Sequence, residues 1–195
     1  MTPGIPDILL DHEIELIKKM AKQIYIRDWM IIALALGTGL RNSELINLTL
    51  ELIRPYDEIA SSLFIPGSIS KGGRSRNIPL YSELRGNILE FYNWKLERNE
   101  PVDPNSFFFI TKYTKNKLSP RDFQRIVKST SIMALGRPVH PHTLRHTFAT
   151  KLLSVSNIRI VQQVLGHKNI QTTQIYTHPS SNDISDAITR LEGTL

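Results

Sequence analysis

The stretch from Pro141 to His178, PHTLRHTFATKLLSVSNIRIVQQVLGHKNIQTTQIYTH, holds the chain's densest set of side chains able to do chemistry. Pro141 suits the first position of a helix, because its missing N–H would be unpaired there anyway. On that helix His142 and Arg145 are three residues apart and share one face. A second helix follows, with Ile158, Val161, Val164 and Leu165 on one stripe, and Gly166 suits its left-handed cap. His167 comes just past that end, and a polar segment leads to Tyr176, then Thr177 and His178. A guanidinium stays charged and offers two parallel N–H donors to an oxyanion such as phosphate. An imidazole titrates near neutrality and can move a proton. A phenol titrates far above neutrality, so it attacks only with help from its neighbours. The set fits anion binding combined with proton transfer around a nucleophile.

HTLRHTFAT, then LGH, then TTQIYTH, resembles the C-terminal signature of the tyrosine recombinases, the phage-integrase family. That pattern joins H-x-x-R to a later L-G-H and to a nucleophilic tyrosine about nine residues on. Upstream, TGLRNSEL (Thr38–Leu45) resembles the family's first arginine box, and SKGGRSRNIPL (Ser70–Leu80) its lysine-bearing β-turn. The boxes stand in family order and span most of the chain. The resemblance implies a catalytic set of Arg41, Lys71, His142, Arg145, His167 and Tyr176. Breaking a phosphodiester without a metal needs a nucleophile, cations for the phosphoryl oxygens and an acid for the leaving oxygen. Tyr176 would attack phosphorus, Arg41 and Arg145 would clamp the phosphate, and Lys71 would protonate the leaving 5′ oxygen. His142 and His167 would bond the same phosphate, with His142 also placed to accept the tyrosine proton. Glu44 is expected to orient the site, or simply to pair with Arg41 three residues away.

The implied activity is site-specific recombination of double-stranded DNA through a 3′-phosphotyrosyl intermediate, with no metal, ATP or other cofactor. A homo-tetramer on two duplexes is implied, with a C-terminal helix passed to a neighbour; the stripe Ile184, Ala187, Ile188 and Leu191 within residues 183–195 fits such a helix. The alternatives are a type IB topoisomerase, which shares the chemistry, and a DNA-binding relative without catalysis. A zinc reading of His142 and His146, four apart as in H-E-x-x-H, puts Thr143 where the glutamate base belongs and a cation, Arg145, beside the metal.

A formal charge of +6 fits a polyanionic partner. With no cysteine, disulfides and thiolate chemistry are excluded. The 41% hydrophobic content can fill a core in one domain of 195 residues. No apolar run reaches membrane-spanning length, and the first residues lack a basic-then-apolar signal pattern, so a cytoplasmic, nucleoid-associated protein is expected.

The elements needed to position these groups follow from periodicity. Helices are expected around Ile14–Met20, over Tyr25–Leu36, Asn42–Leu48, Leu84–Arg98 and Arg121–Leu135, and from Pro141 onward. Leu50–Ile53, Leu63–Ile65 and Arg76–Pro79 read as three short strands, with Ser70–Ser75 as the turn between the last two. The fold class expected is α+β, mostly helical with a small three-stranded antiparallel sheet. Residues 1–195 read as a catalytic domain; about forty residues precede Arg41, and the family's separate core-binding domain is not among them.

Overall fold

The computed structural model describes residues 7–70 and 73–166. Helix α2 (Ile26–Thr38) is its axis, with Trp29 through Ala35 buried on every side. A helix apolar all round has no solvent face, so it must be wrapped. Helices α1 (Asp11–Ile24), α5 (Ser82–Glu97), α6 (Pro120–Leu135) and α7 (Pro141–Val155) pack against it. α2 ends at Gly39 in the left-handed conformation, φ 62°. A side chain there would put its Cβ 2.3 Å from Phe148 of α7. The tight contact brings the loop after α2 onto α7.

Short α3 (Asn42–Ile46) and the four-residue α4 (Leu50–Ile53) follow. β1 (Ser62–Ile65) pairs antiparallel with β2 (Arg76–Pro79), Leu63 opposite Ile78 and Ile65 opposite Arg76. The sheet has these two strands among the described residues, not the three expected. Leu50–Ile53 is a helical turn. Leu50 and Ile53 are both buried, and residues three apart share a face in a helix but lie on opposite faces of a strand. The Arg54 N–H closes the turn on Leu50 O at 2.7 Å, and Pro55 follows. The chain before the turn pairs only at the single bridge Thr49–Phe107. The fold is therefore mostly helical α+β.

α8 (Ile158–Leu165) packs against α7 and β2. Its Val161 and Leu165 form a separate small core with Ala149, Phe148, Leu152 and Leu153 of α7. Asn157 starts α8 by accepting the N–H groups of Arg159 and Ile160 at 3.0 and 3.1 Å. Gly166 stops it in the left-handed conformation, φ 64°. No described helix is long and apolar enough to cross a membrane.

Candidate active site

Arg41 lies at the junction where the tight turn after α2 enters α3. Arg145 lies one turn into α7 and is 6% exposed. Both guanidinium groups reach the last carbonyl of α8: Leu165 O accepts from Arg145 Nη2 at 2.9 Å and from Arg41 Nη1 at 3.4 Å. Arg145 Nη1 also donates to Gly39 O, so the end of α2 and the end of α8 are held by one side chain. A third arginine joins them. Arg76, at the start of β2, donates through Nε to Val164 O at 2.8 Å. The last carbonyls of a helix have no partner within it and carry the negative end of its dipole, so cations collect there.

Glu44 ties this arrangement together. It is fully buried, with Oε1 and Oε2 bonded to Arg76 Nη1 and Nη2 at 2.9 and 2.8 Å. Its Oε2 also accepts the Arg41 backbone N–H at 2.8 Å, and Oε1 lies 3.4 Å from Arg41 Nη1. Burial opposes the charge on this carboxyl. The hydrogen bonds and positive charge of Arg76, with the Arg41 N–H, outweigh burial and hold Glu44 below the usual carboxylate range. Glu44 therefore pairs with Arg41 as the spacing suggested, but from a buried position rather than on the surface.

Arg41, His142 and Arg145 line one cleft of about 460 Å³. His142 is exposed near the start of α7. The opposite wall is α6, through Arg121, Gln124, Arg125 and Lys128, and His140 lies at the mouth of α7. No carboxylate is among the described lining residues. Two of its cations are paired with acids outside that lining, Arg125 with Asp122 at 2.7 Å and Arg41 with Glu44 at 3.4 Å. His146 lies one turn behind His142, with ring centres 6.4 Å apart. Burial, then the charges of His142 and Arg145, push its imidazole below the ordinary histidine range. A neutral imidazole could bind a metal, but no group of three His, Cys, Asp or Glu suited to one occurs among the described residues.

Lys71, His167 and Tyr176, and the 183–195 stripe, lie outside the described residues. The structure brings together the other three expected residues, Arg41, His142 and Arg145. Sequence reading missed Arg76, His140 and the α6 wall. A signal existed for the wall: Arg121, Arg125 and Lys128 recur at helical spacing on one face of an amphipathic helix. No comparable signal marked Arg76 as buried, since its partner Glu44 is distant in the chain.

A sequence profile of the phage integrase family matches residues 8–183, and the chain belongs to that family of tyrosine recombinases. Tyrosine recombinase XerA of Pyrococcus furiosus is 37% identical over 187 residues, which are 95% of this chain and 62% of that protein. The chain thus spans about three fifths of that relative's length. The crystal structure of XerA recombinase superposes with a TM-score of 0.76 at 26% identity, covering 96% of this chain and 66% of that one. A crystal structure of XerH site-specific recombinase bound to its difH substrate, before cleavage, gives a TM-score of 0.76 at 22% identity over 97% of this chain and 55% of that one, a likeness of fold.

Proposed function

We propose that the chain is the catalytic module of a site-specific DNA recombinase that cleaves and rejoins strands through a 3′-phosphotyrosyl link. The observation that carries this reading is the meeting of Arg41 and Arg145 on one carbonyl, beside a cleft whose described lining holds cations and histidines but no acid. Two guanidinium groups fixed in advance suit a phosphate whose charge grows in the transition state. Tyr176 Oη attacks phosphorus and passes its proton to His142. The bond from phosphorus to the 5′ oxygen breaks, and that oxygen takes a proton from Lys71. His167 adds a hydrogen bond to the phosphoryl oxygens. The phosphotyrosine keeps the energy of the broken phosphodiester, so a 5′ hydroxyl from a partner duplex reverses the step without ATP or a metal.

Membership of the family, the basic α6 wall and the +6 charge support double-stranded DNA as the partner. Recombination between two duplexes calls for a tetramer, and residues 183–195 supply the helix exchanged between neighbours. The test is a nicked suicide duplex, which traps the covalent adduct because the released fragment diffuses away. Wild type should accumulate adduct and Tyr176→Phe should form none. Equal signals from both proteins would remove Tyr176 from the chemistry, and no adduct from either would leave a DNA-binding relative without catalysis.

A further inference from the structure

A second groove with cationic walls lies beside the cleft. Residues 111–118 form a closed hairpin: the Thr111 N–H donates to Asn116 O at 2.7 Å, and the Asn116 N–H donates to Thr111 Oγ1 at 3.1 Å. Ile110 and Lys117 form an antiparallel bridge at its base. Lys115 Nζ anchors it 3.3 Å from Glu100, a buried carboxylate that also holds the buried Lys95 at 2.9 Å. The hairpin is thus fixed to the body, and it presents Lys112 and Tyr113, the latter 85% exposed.

Between the hairpin and the start of α6 lies a space of about 380 Å³, lined by Arg27, Lys112, Tyr113 and Arg125, with one acid, Asp122, among the other described lining residues. Arg125 also lines the cleft of Arg41 and Arg145, so the two depressions share a wall. Lys112 Nζ lies 5.4 Å from the centres of both Tyr25 and Tyr113, and the Arg27 guanidinium lies 4.9 Å from Tyr25. Two of the cations are paired with acids, Arg27 with Asp28 and Arg125 with Asp122, which also bonds Ser119. Lys112 makes no ion pair with a described residue.

We infer that this groove binds the phosphate backbone of duplex DNA beyond the cleaved segment, with Lys112 on a phosphate and Tyr113 against the adjoining sugar. The inference rests on reading the neighbouring cleft as a DNA site. A duplex presents phosphates at regular intervals, so one lying in the cleft meets further cations wherever the basic wall continues, and here it continues through Arg125. Lys112 is exposed and outside the proposed catalytic set, so its replacement leaves the cleavage machinery intact.

The experiment is fluorescence anisotropy with the full chain, a labelled duplex of arbitrary sequence and the matching single strand, repeated over a range of salt. Lys112→Ala should weaken duplex binding about fivefold and lower the slope of log affinity against log salt by about one, the signature of one lost phosphate contact. Lys112→Arg should restore both. Unchanged affinity and slope in Lys112→Ala, with wild type binding normally, overturns the inference and leaves the cleft reading standing. A loss confined to the single strand assigns the groove to unpaired strands and also overturns it. Failure of wild type to bind duplex at all defeats the cleft reading itself.

Discussion

Replacing Glu44 with glutamine tests whether the site is held from beneath by one buried carboxylate. Every group bonded to Glu44 is a donor: two Arg76 nitrogens, the Arg41 N–H and Arg41 Nη1. Glutamine keeps the shape but turns one acceptor oxygen into an NH2 group. Oε1 and Oε2 each serve two donors, so either orientation of the amide sets N–H against N–H twice. It also leaves the Arg76 guanidinium buried without a counter-charge. Removing one partner of a buried pair costs about 3–5 kcal/mol. That is a large part of the roughly 5–15 kcal/mol that holds a domain folded. Urea unfolding at neutral pH should therefore show Glu44→Gln destabilised by about 3–5 kcal/mol. The pH dependence has a definite sign. Glu44 is held below its ordinary value of 4.5, so its stabilisation is complete above that value and is lost as pH falls through the lowered one. The gap between wild type and variant should narrow as pH falls below 4.5. A difference under about 1 kcal/mol at neutral pH, or a gap that does not narrow in acid, would refute the reasoning.

Gly39→Ala should cost about 2–5 kcal/mol, combining the left-handed backbone with a Cβ driven 2.3 Å from Phe148, and lower Tm by roughly 5–20 °C in a thermal melt. Gly136→Ala is its control: φ is also positive there, at 71°, but nothing lies within 4 Å of the new Cβ, so about 1 kcal/mol is expected. Deleting residues 183–195 should leave the rest of the chain folded, with a cooperative thermal melt, while weakening assembly on DNA; tetramer formation equal to wild type on gel filtration with a cognate duplex would remove that segment from the interface.

The helices were legible because their cause is local. Burial of α2 shows in the unbroken apolar run from Trp29 to Leu36, and the end of α8 shows in a glycine after the last apolar residue. Leu50–Ile53 was misread because a short apolar run has no period of its own. Its identity was decided by what Leu50 and Ile53 bury against and by Pro55 beyond them. The site was legible in part. Arg41, His142 and Arg145 stand in recognisable strings, whereas the carbonyls they meet leave no trace in side-chain type. Arg76 and Glu44 form the strongest ion pair of the site, yet they are 32 residues apart and read separately as ordinary charged residues.

Backbone carbonyls make this site an instrument of the whole fold. Arg145 bonds the end of α2 through Gly39 and the end of α8 through Leu165, so its guanidinium can hold its place only while both helix ends hold theirs. Arg76 extends the coupling to the sheet, because one side chain bonds Glu44 beneath Arg41 and Val164 in α8. Gly166 packs with its Cα hydrogen side toward that arginine, where a Cβ would lie 3.2 Å from Arg76 Nη1. A shift of α8 therefore moves all three arginines together rather than one at a time. Mutations far from the cleft that loosen α2 against α7 should consequently act on Arg41 and Arg145 as a pair, and their effects should fail to add to those of Glu44→Gln.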